Sequence, residues 1–165
     1  MYKRIVVPLD FSRSSMLALN HGVKLAKSSK AEIILVHAVE TVPYALEAFF
    51  GAAYDSRALL QQLTQFGRKQ LSRAASSVMR RGVRVRTELK VGTPHDVVVK
   101  TANRVRADLI VLSTEGRSGM SHVLMGSVAE KIVRYAQCPV LTVRGVKRPS
   151  AVQRTSSGTR HSARR

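Results

Sequence analysis

The sequence predicts a single α/β domain built on a mostly parallel β-sheet. Three observations carry this expectation. Short apolar, β-branched runs recur along the chain, amphipathic segments separate them, and the two kinds alternate in the order βαβαβαβαβ. Right-handed crossovers then place helices on both faces of the sheet. A chain of 165 residues is the size of one ordinary domain and can bury a sizeable core.

Arg4 to Leu9 reads as a buried strand, because Ile5, Val6 and Val7 are consecutive and β-branched. Asp10-Phe11-Ser12 ends it, and a helix follows from Ser14 to Lys27, with Ser12 or Ser14 as N-cap and Leu17, Val23 and Leu25 among its apolar residues. The second strand, Glu32 to Val39, contains the run Ile33-Ile34-Leu35-Val36. Thr41 to Tyr54 is apolar but irregular, interrupted by Pro43 and Gly51. A longer helix is expected from Ser56 to Arg80, its apolar face drawn from Leu59, Leu60, Leu63, Phe66, Leu71 and Val78.

Val83 to Val91 alternates, with Val83, Val85, Thr87, Leu89 and Val91 set against Arg84, Arg86, Glu88 and Lys90. A period of two with one charged side marks a strand with a wet face, at or near a sheet edge. Gly92-Thr93-Pro94 opens the next helix, with Thr93 as N-cap, Pro94 at the first position and Asp96 in the first turn, running to about Arg106. Leu109 to Ser113 is the fourth strand, Ser127 to Ala136 the fourth helix and Pro139 to Arg144 the fifth strand.

The formal charge is +18, unevenly placed. From Gly145 to Arg165 the chain carries Lys147, Arg148, Arg154, Arg160, Arg164 and Arg165 with no acid, and its Ser, Thr, Pro and Gly content predicts a disordered tail. Removing those six leaves +12 on residues 1–144, the predicted folded domain. Such a charge favours polyanions, and the tail is a candidate for nonspecific polyanion binding. It equally describes a solubilising surface, since aromatic residues are not interleaved with the basic ones and no familiar nucleic-acid motif appears. The N-terminal residues enter a strand directly, without a signal-peptide core, and no apolar run approaches the roughly 20 residues of a membrane span. The single cysteine, Cys138, permits a reducing compartment, so the expected location is cytoplasmic.

The chemistry concentrates after the fourth strand. Gly116-Arg117-Ser118-Gly119, then Gly126-Ser127 at the mouth of a helix, combine a glycine-containing loop with first-turn amides that attract an anion. An ordinary βα loop would also use such glycines. In a doubly wound sheet, ligands sit outside the C-terminal strand ends where strand order reverses, so Asp10 and the Ser113–Ser127 segment face one crevice if their strands are neighbours. Other constellations fail: no Walker-type loop, no GxGxxG, and no metal-ligand spacing among His21, His37, His95, His122, His161 and Cys138. His37 reads as a core histidine and Cys138 as a buried structural thiol. No catalytic set can be assembled, so any hydrolysis is expected to be slow.

In Val7-Pro8-Leu9-Asp10-Phe11-Ser12, Ile34-Leu35-Val36-His37-Ala38, Val91-Gly92-Thr93-Pro94, Gly116 through Gly126-Ser127-Val128-Ala129-Glu130 and Cys138-Pro139-Val140-Leu141, the chain resembles the universal stress protein family over residues 2–144. The resemblance implies a five-stranded, Rossmann-like parallel sheet of order 3-2-1-4-5 and a homodimer joined through the last strand, residues 139–144. It further implies a dimeric sensor or regulator acting through an unknown protein partner, which binds ATP with Mg or Mn bridging the phosphates. The alternatives are a nucleotide-free interaction protein of the same fold and a dimer tethered to polyanions by its basic tail.

The binding signature of the family is glycine, two residues, glycine, nine residues, then glycine followed by serine or threonine. Gly116 and Gly126-Ser127 satisfy it, whereas Ser113 replaces the first glycine and Glu115 stands where binders often carry histidine. Transferred by that match, Pro8, Leu9 and Asp10 would line the base and ribose pocket and the backbone of Ala38 would read adenine. Ser113 would stand near the ribose or phosphates, and Gly116, Arg117, Gly126, Ser127 and Val128 would hold the phosphates. Asp10 could instead cap the first loop, and Ser127 could serve as a plain N-cap.

Overall fold

β1 (Arg4–Pro8) is the middle strand of the sheet, and its three central residues, Ile5, Val6 and Val7, are completely buried. It pairs in parallel with β2 (Glu32–Val39) on one side, Val6 opposite Ile34, and with β4 (Leu109–Ser113) on the other, Val6 opposite Ile110. β3 (Val85–Val91) and β5 (Val140–Val143) complete the order β3-β2-β1-β4-β5, every pair parallel. The computed structural model describes residues 1–40, 56–114 and 125–144. Thr41 to Tyr54 and the proposed tail from Gly145 to Arg165 therefore lie outside the described residues.

Because successive strand residues face opposite ways, the apolar runs supply two cores at once. Ile5, Val7, Ile33, Leu35, Leu109 and Val111 face α1 (Arg13–Ser29) and α2 (Ser56–Arg80), meeting Leu19, Val23, Leu71 and Val78. Val6, Ile34, Val36, Ile110 and Leu112 face α3 (Pro94–Arg104) and α4 (Ser127–Tyr135), meeting Val98, Ala102 and Ile132. Each fully buried aliphatic side chain contributes about 1.5–3 kcal/mol relative to exposure. The helices have one apolar stripe each because each has one sheet face to cover.

The edge strand β3 departs from simple alternation. Thr87 and Val91 are exposed, while Glu88 is half-buried and ion-paired with Arg104 of α3 at 3.0 Å. Arg86 likewise reaches Glu32 of β2 at 3.0 Å. Charges expected on a wet face thus stitch the edge to its neighbours. The strand begins at Val85, two residues later than the alternation implies, after a turn in which Gly82 adopts φ +75°.

α1 is held at both ends by local chemistry. The Ser12 hydroxyl accepts from the Ser15 amide at 3.2 Å, the capping arrangement its sequence predicts, and Lys30 closes the helix in the left-handed region with its amide on the Ala26 carbonyl. Asp108 fastens the opposite end of the sheet. Its Oδ2 accepts from the amides of Lys3 and Arg4 at 2.8 and 2.7 Å, pinning the start of β1 beside β4. Burial pushes the Asp108 carboxyl up, but the two backbone amides and the neighbouring Arg4 and Lys3 charges outweigh it and hold it below the usual value.

Two tests follow from this packing. A β-carbon on Gly67 of α2 would stand 2.7 Å from the His37 ring and 2.8 Å from Leu89. Gly67→Val should therefore overpack the α2–sheet contact and lower stability by about 1–3 kcal/mol, read as a lower urea midpoint at unchanged slope. Asp108→Asn tests the clamp on β1. A carboxyl whose folded pKa is depressed stabilises the fold fully above its unfolded pKa of about 3.9, and the gain is lost as pH falls through the folded value. The variant should melt below wild type at neutral pH, with the gap closing as the pH is brought down through the acid range.

Candidate functional site

β1 is the point at which the strand order turns back, since the chain leaves it for β2 and β3 on one side and later returns to β4 and β5 on the other. The crossover helices diverge there, leaving a crevice beyond the strand C-termini. It is a cavity of about 530 Å³, within the range of roughly 300–1,000 Å³ usual for small-molecule sites. Pro8, Leu9 and Asp10 enter it from β1, Val36 to Glu40 from β2, and Leu112, Ser113 and Thr114 from β4. Leu63 and Phe66 of α2, Pro94 and Val98 of α3, and Gly126 to Ala129 with Ile132 around α4 complete the wall.

The floor is fixed by contacts that leave little freedom. The Leu9 amide donates to the Val36 carbonyl at 2.8 Å, and the Leu9 carbonyl lies 2.7 Å from Nδ1 of His37. A carbonyl can only accept, so Nδ1 carries the proton. His37 is buried, and its ring lies 4.5 Å from that of Phe11, which in turn meets Phe66 edge-on at 6.2 Å. The histidine expected to belong to the core does so, and it also ties the ends of β1 and β2 together at the cavity.

Asp10 is turned by the chain itself. Its Oδ1 accepts from the Ser12 amide at 2.9 Å and from the Ser12 hydroxyl at 2.6 Å, and Phe11 between them sits at φ +63°. That conformation is unfavourable for a bulky residue, and the Asx-type bonds and the Phe11 ring contacts hold it in place. Asp10 therefore does cap the first loop while also lining the cavity, so the two sequence-based readings are compatible.

α4 presents the opposite electrostatics. Its N-cap is Gly126, not Ser127, which is the first helical residue. Gly126 has no side chain to accept from the first turn, and no side-chain hydrogen bond caps this end among the described residues. The early amides of an α-helix have no partner within the helix and carry the positive end of its dipole. Here they open on the cavity. Thr93 occupies the N-cap position of α3 as expected, but its side chain makes no capping bond.

Gly126 itself has φ −67°, which any residue can adopt, so its backbone does not require glycine. Its approach to β4 is close: its amide donates to the Thr114 carbonyl at 2.9 Å, and a β-carbon would stand 3.4 Å from that oxygen. Thr114 Oγ1 beside it is buried and, among the described residues, has no hydrogen-bond partner. Sequence reading passed over Thr114, as it did the Phe11 backbone; only the β4–α4 junction reveals its place.

Pro8, Leu9, Asp10, Ala38, Ser113, Gly126, Ser127 and Val128, singled out from the sequence, all line this one cavity. Gly116 and Arg117, together with Glu115 and Gly119, lie outside the described residues. Cys138 is only partly buried against the α3–α4 side of the sheet. Burial, then the Asp108 charge, pushes its thiol up, away from the thiolate a nucleophile needs. Among the described residues no group of three His, Cys, Asp or Glu side chains could hold a metal ion, and no helix is long and apolar enough to cross a membrane.

A doubly wound parallel sheet with a crevice at its switch point defines the class: a Rossmann-like α/β protein with room for a small ligand. The universal stress protein family model matches residues 1–144, and the chain belongs to that family. It is 33% identical over 148 residues to universal stress protein MJ0531 of Methanocaldococcus jannaschii, covering 90% of this chain and 85% of that one. The solved structure of MJ0577, a universal stress protein of the same organism, superposes with a TM-score of 0.78 at 28% identity, covering 91% of this chain and 99% of that one. A universal stress protein solved in complex with cAMP superposes with a TM-score of 0.60 at 27% identity, covering 87% and 97%.

Proposed function

We propose that this universal stress protein is a cytoplasmic, dimeric regulatory module that binds ATP in the crevice between Asp10 and α4, with any hydrolysis slow. The observation that carries the reading is the pairing of opposite polarities across one cavity. Asp10 offers a carboxylate to the hydroxyls of a ribose, while the uncapped first turn of α4 offers amides to phosphates. Between them, apolar Leu9, Val36, Val98 and Leu112 suit the faces of a purine. A relative crystallised with cAMP lends support, since cAMP shares the adenosine and a phosphate with ATP.

In this reading Ala38 contributes backbone groups to adenine, Pro8 and Leu9 pack on the nucleoside, and Ser113 stands at the ribose or α-phosphate. Gly116, Arg117, Gly126, Ser127 and Val128 embrace the phosphates. The orphaned Thr114 hydroxyl fits a polar ligand group arriving at the same corner. Arg117, with a planar guanidinium suited to phosphate, offsets the repulsion that Glu115 would exert. Mg or Mn, if bound, would draw most of its ligands from the phosphates and water, because the described protein groups form no metal cluster. The folded unit would be residues 1–144, followed by a basic tail.

Titration calorimetry with Mg-ATP tests the site. Wild type should release or absorb measurable heat, and Gly126→Val should reduce affinity at least tenfold at nearly unchanged melting temperature, since its backbone geometry accepts a side chain and the residue lines the cavity. No heat and no competition from wild type would support the nucleotide-free alternative, which the Ser113 and Glu115 departures favour.

Dimerisation through β5 has its own test. Pro139 and Val143 direct their carbonyls to the amides of Ile110 in β4 and of Thr114 just after it. Backbone groups alternate along a strand, so Val140 and Thr142 direct theirs to the outer edge. Thr142→Pro would remove an edge donor without breaking the β4 ladder. Multi-angle light scattering should give a dimer for wild type and a monomer for the variant; a monomeric wild type at micromolar concentration overturns the dimer.

A further inference from the structure

The two helical layers differ sharply in charge. α1 and α2, of 17 and 25 residues, carry Arg13, Lys24, Lys27, Arg57, Arg68, Lys69, Arg73 and Arg80 and not one carboxylate. On the other face, α3 and α4 set Asp96 and Glu130 against Lys100, Arg104, Lys131 and Arg134. The first turns of α1 and α2 also lack acids, although a helix N-terminus favours them. Soluble surfaces ordinarily intersperse the two signs. The asymmetry is a property of one face.

At the C-terminal ends of these two helices the cations converge with those of the following turn and strand. Arg81, just past α2, donates to Asn20 of α1 at 2.8 Å, and Arg84, ahead of β3, reaches the Lys30 carbonyl past α1 at 3.4 Å. These contacts set Arg81 and Arg84 against α1 and the turn after it, where Lys24, Lys27 and Lys30 follow in sequence, and Arg80 ends α2 next to Arg81; all six but Arg81 are exposed. The carboxylates nearest in the chain are already engaged. Glu32 pairs with Arg86, and Asp108 accepts from the amides of Lys3 and Arg4. Two helix C-termini supply a partial charge of roughly −1 together, which leaves most of the six cations unbalanced.

We infer that this corner, formed by the ends of α1 and α2 and the start of β3, binds the phosphate backbone of nucleic acid without reading its sequence. Closely set cations on a rigid support release counterions from a polyphosphate without the ordering penalty of a flexible tail. Arginine, half of the cluster, grips phosphate with two donors at once. A lipid surface is less well served, because interfacial helices insert an apolar face. Here Leu19 and Val23 of α1, and Leu71 and Val78 of α2, spend those faces on the core, and the exposed apolar side chains at this end, Met1, Tyr2 and Met79, come from separate segments and form no single helix face. The corner lies at the opposite end of the sheet from the crevice, so the two sites can be tested apart.

The experiment is fluorescence anisotropy of a labelled 20-base-pair DNA duplex of mixed sequence, titrated with the full chain over a salt series. Wild type should bind, with the logarithm of affinity falling against that of salt at a slope of about 0.9 for each phosphate contacted. Lys24→Gln/Lys27→Gln/Arg80→Gln, at exposed positions without a carboxylate partner among the described residues, should weaken binding at least tenfold and lower the slope by roughly 3. The matched triple on the other layer, Lys100→Gln/Lys131→Gln/Arg134→Gln, should stay within about twofold of wild type, using the same slope as the reference. Equal loss from both triples would reduce the effect to net charge and overturn the proposal. So would full retention by the first triple with loss only on neutralising Lys147, Arg148 and Arg154, or tighter binding to phosphatidylserine vesicles than to duplex at equal salt. Circular dichroism melts confirm that each triple is folded.

Discussion

Everything in this structure depends on β1 being paired in parallel on both of its edges. A strand flanked by β2 and β4 has both faces covered by helices and both edges hydrogen-bonded, so Ile5, Val6 and Val7 lose all contact with water. That burial explains why the strand must be continuously apolar. It also creates the crevice. The chain can leave the C-terminal end of β1 toward only one side, and the return to β4 on the other side parts the helices above the strand ends. The pocket is therefore a consequence of the same topology that stabilises the core.

The residues around that pocket divide between satisfied and unsatisfied polar groups. α1 begins with a closed network in which Asp10, Ser12 and Ser15 answer one another, and His37 is spent on the Leu9 carbonyl. α4 begins with a glycine that has no side chain to cap the first turn, next to a buried threonine hydroxyl that has no partner among the described residues. A buried polar group left unpaired costs about 1–3 kcal/mol. Such a cost is tolerable where a ligand or ordered water meets the group. The polarity of the crevice thus runs from the Asp10 carboxylate at the β1 end to the first turn of α4 at the other.

Charge follows the layers in the same way. The α3–α4 side carries acids and bases in mixture, and its Arg104 is drawn in to pair with Glu88 at the sheet edge. On the α1–α2 side the helices carry cations and no carboxylate, and two nearby cations make neutral contacts, Arg81 to Asn20 and Arg84 to the Lys30 carbonyl. The overall formal charge of +18 conceals this division, since a sum over residues has no direction. Whatever approaches the protein meets one helical layer in which carboxylates offset part of the positive charge and one whose helices carry none.

Much of the fold was legible in the sequence because its signals are local. Consecutive β-branched residues in β1, β2 and β4 define buried strands, and the bounds of β2, α2 and β4 coincide with the apolar pattern. The resemblance supplied the strand order, which periodicity cannot, and with it the convergence of Asp10 and Gly126 on one cavity. Capping was only half readable: Ser12 caps α1 as its residue type suggests, but the helix after β4 starts one residue earlier than a Ser127 N-cap would place it, with Gly126 as the cap. Hydroxyl residues compete for a cap on local terms, whereas the amide of Gly126 is claimed by the Thr114 carbonyl. The left-handed Phe11, the contact of Gly67 with His37, the lone Thr114 hydroxyl and the cations gathered from α1, α2 and β3 had no signature in the chain. Most of them depend on groups distant in sequence that the packing of helices on a common sheet brings together. The sequence by itself determined which segments are strands and helices and which faces are buried, because those follow from neighbours along the chain; the tertiary structure decided which polar groups meet and which stay open, because those depend on neighbours across it.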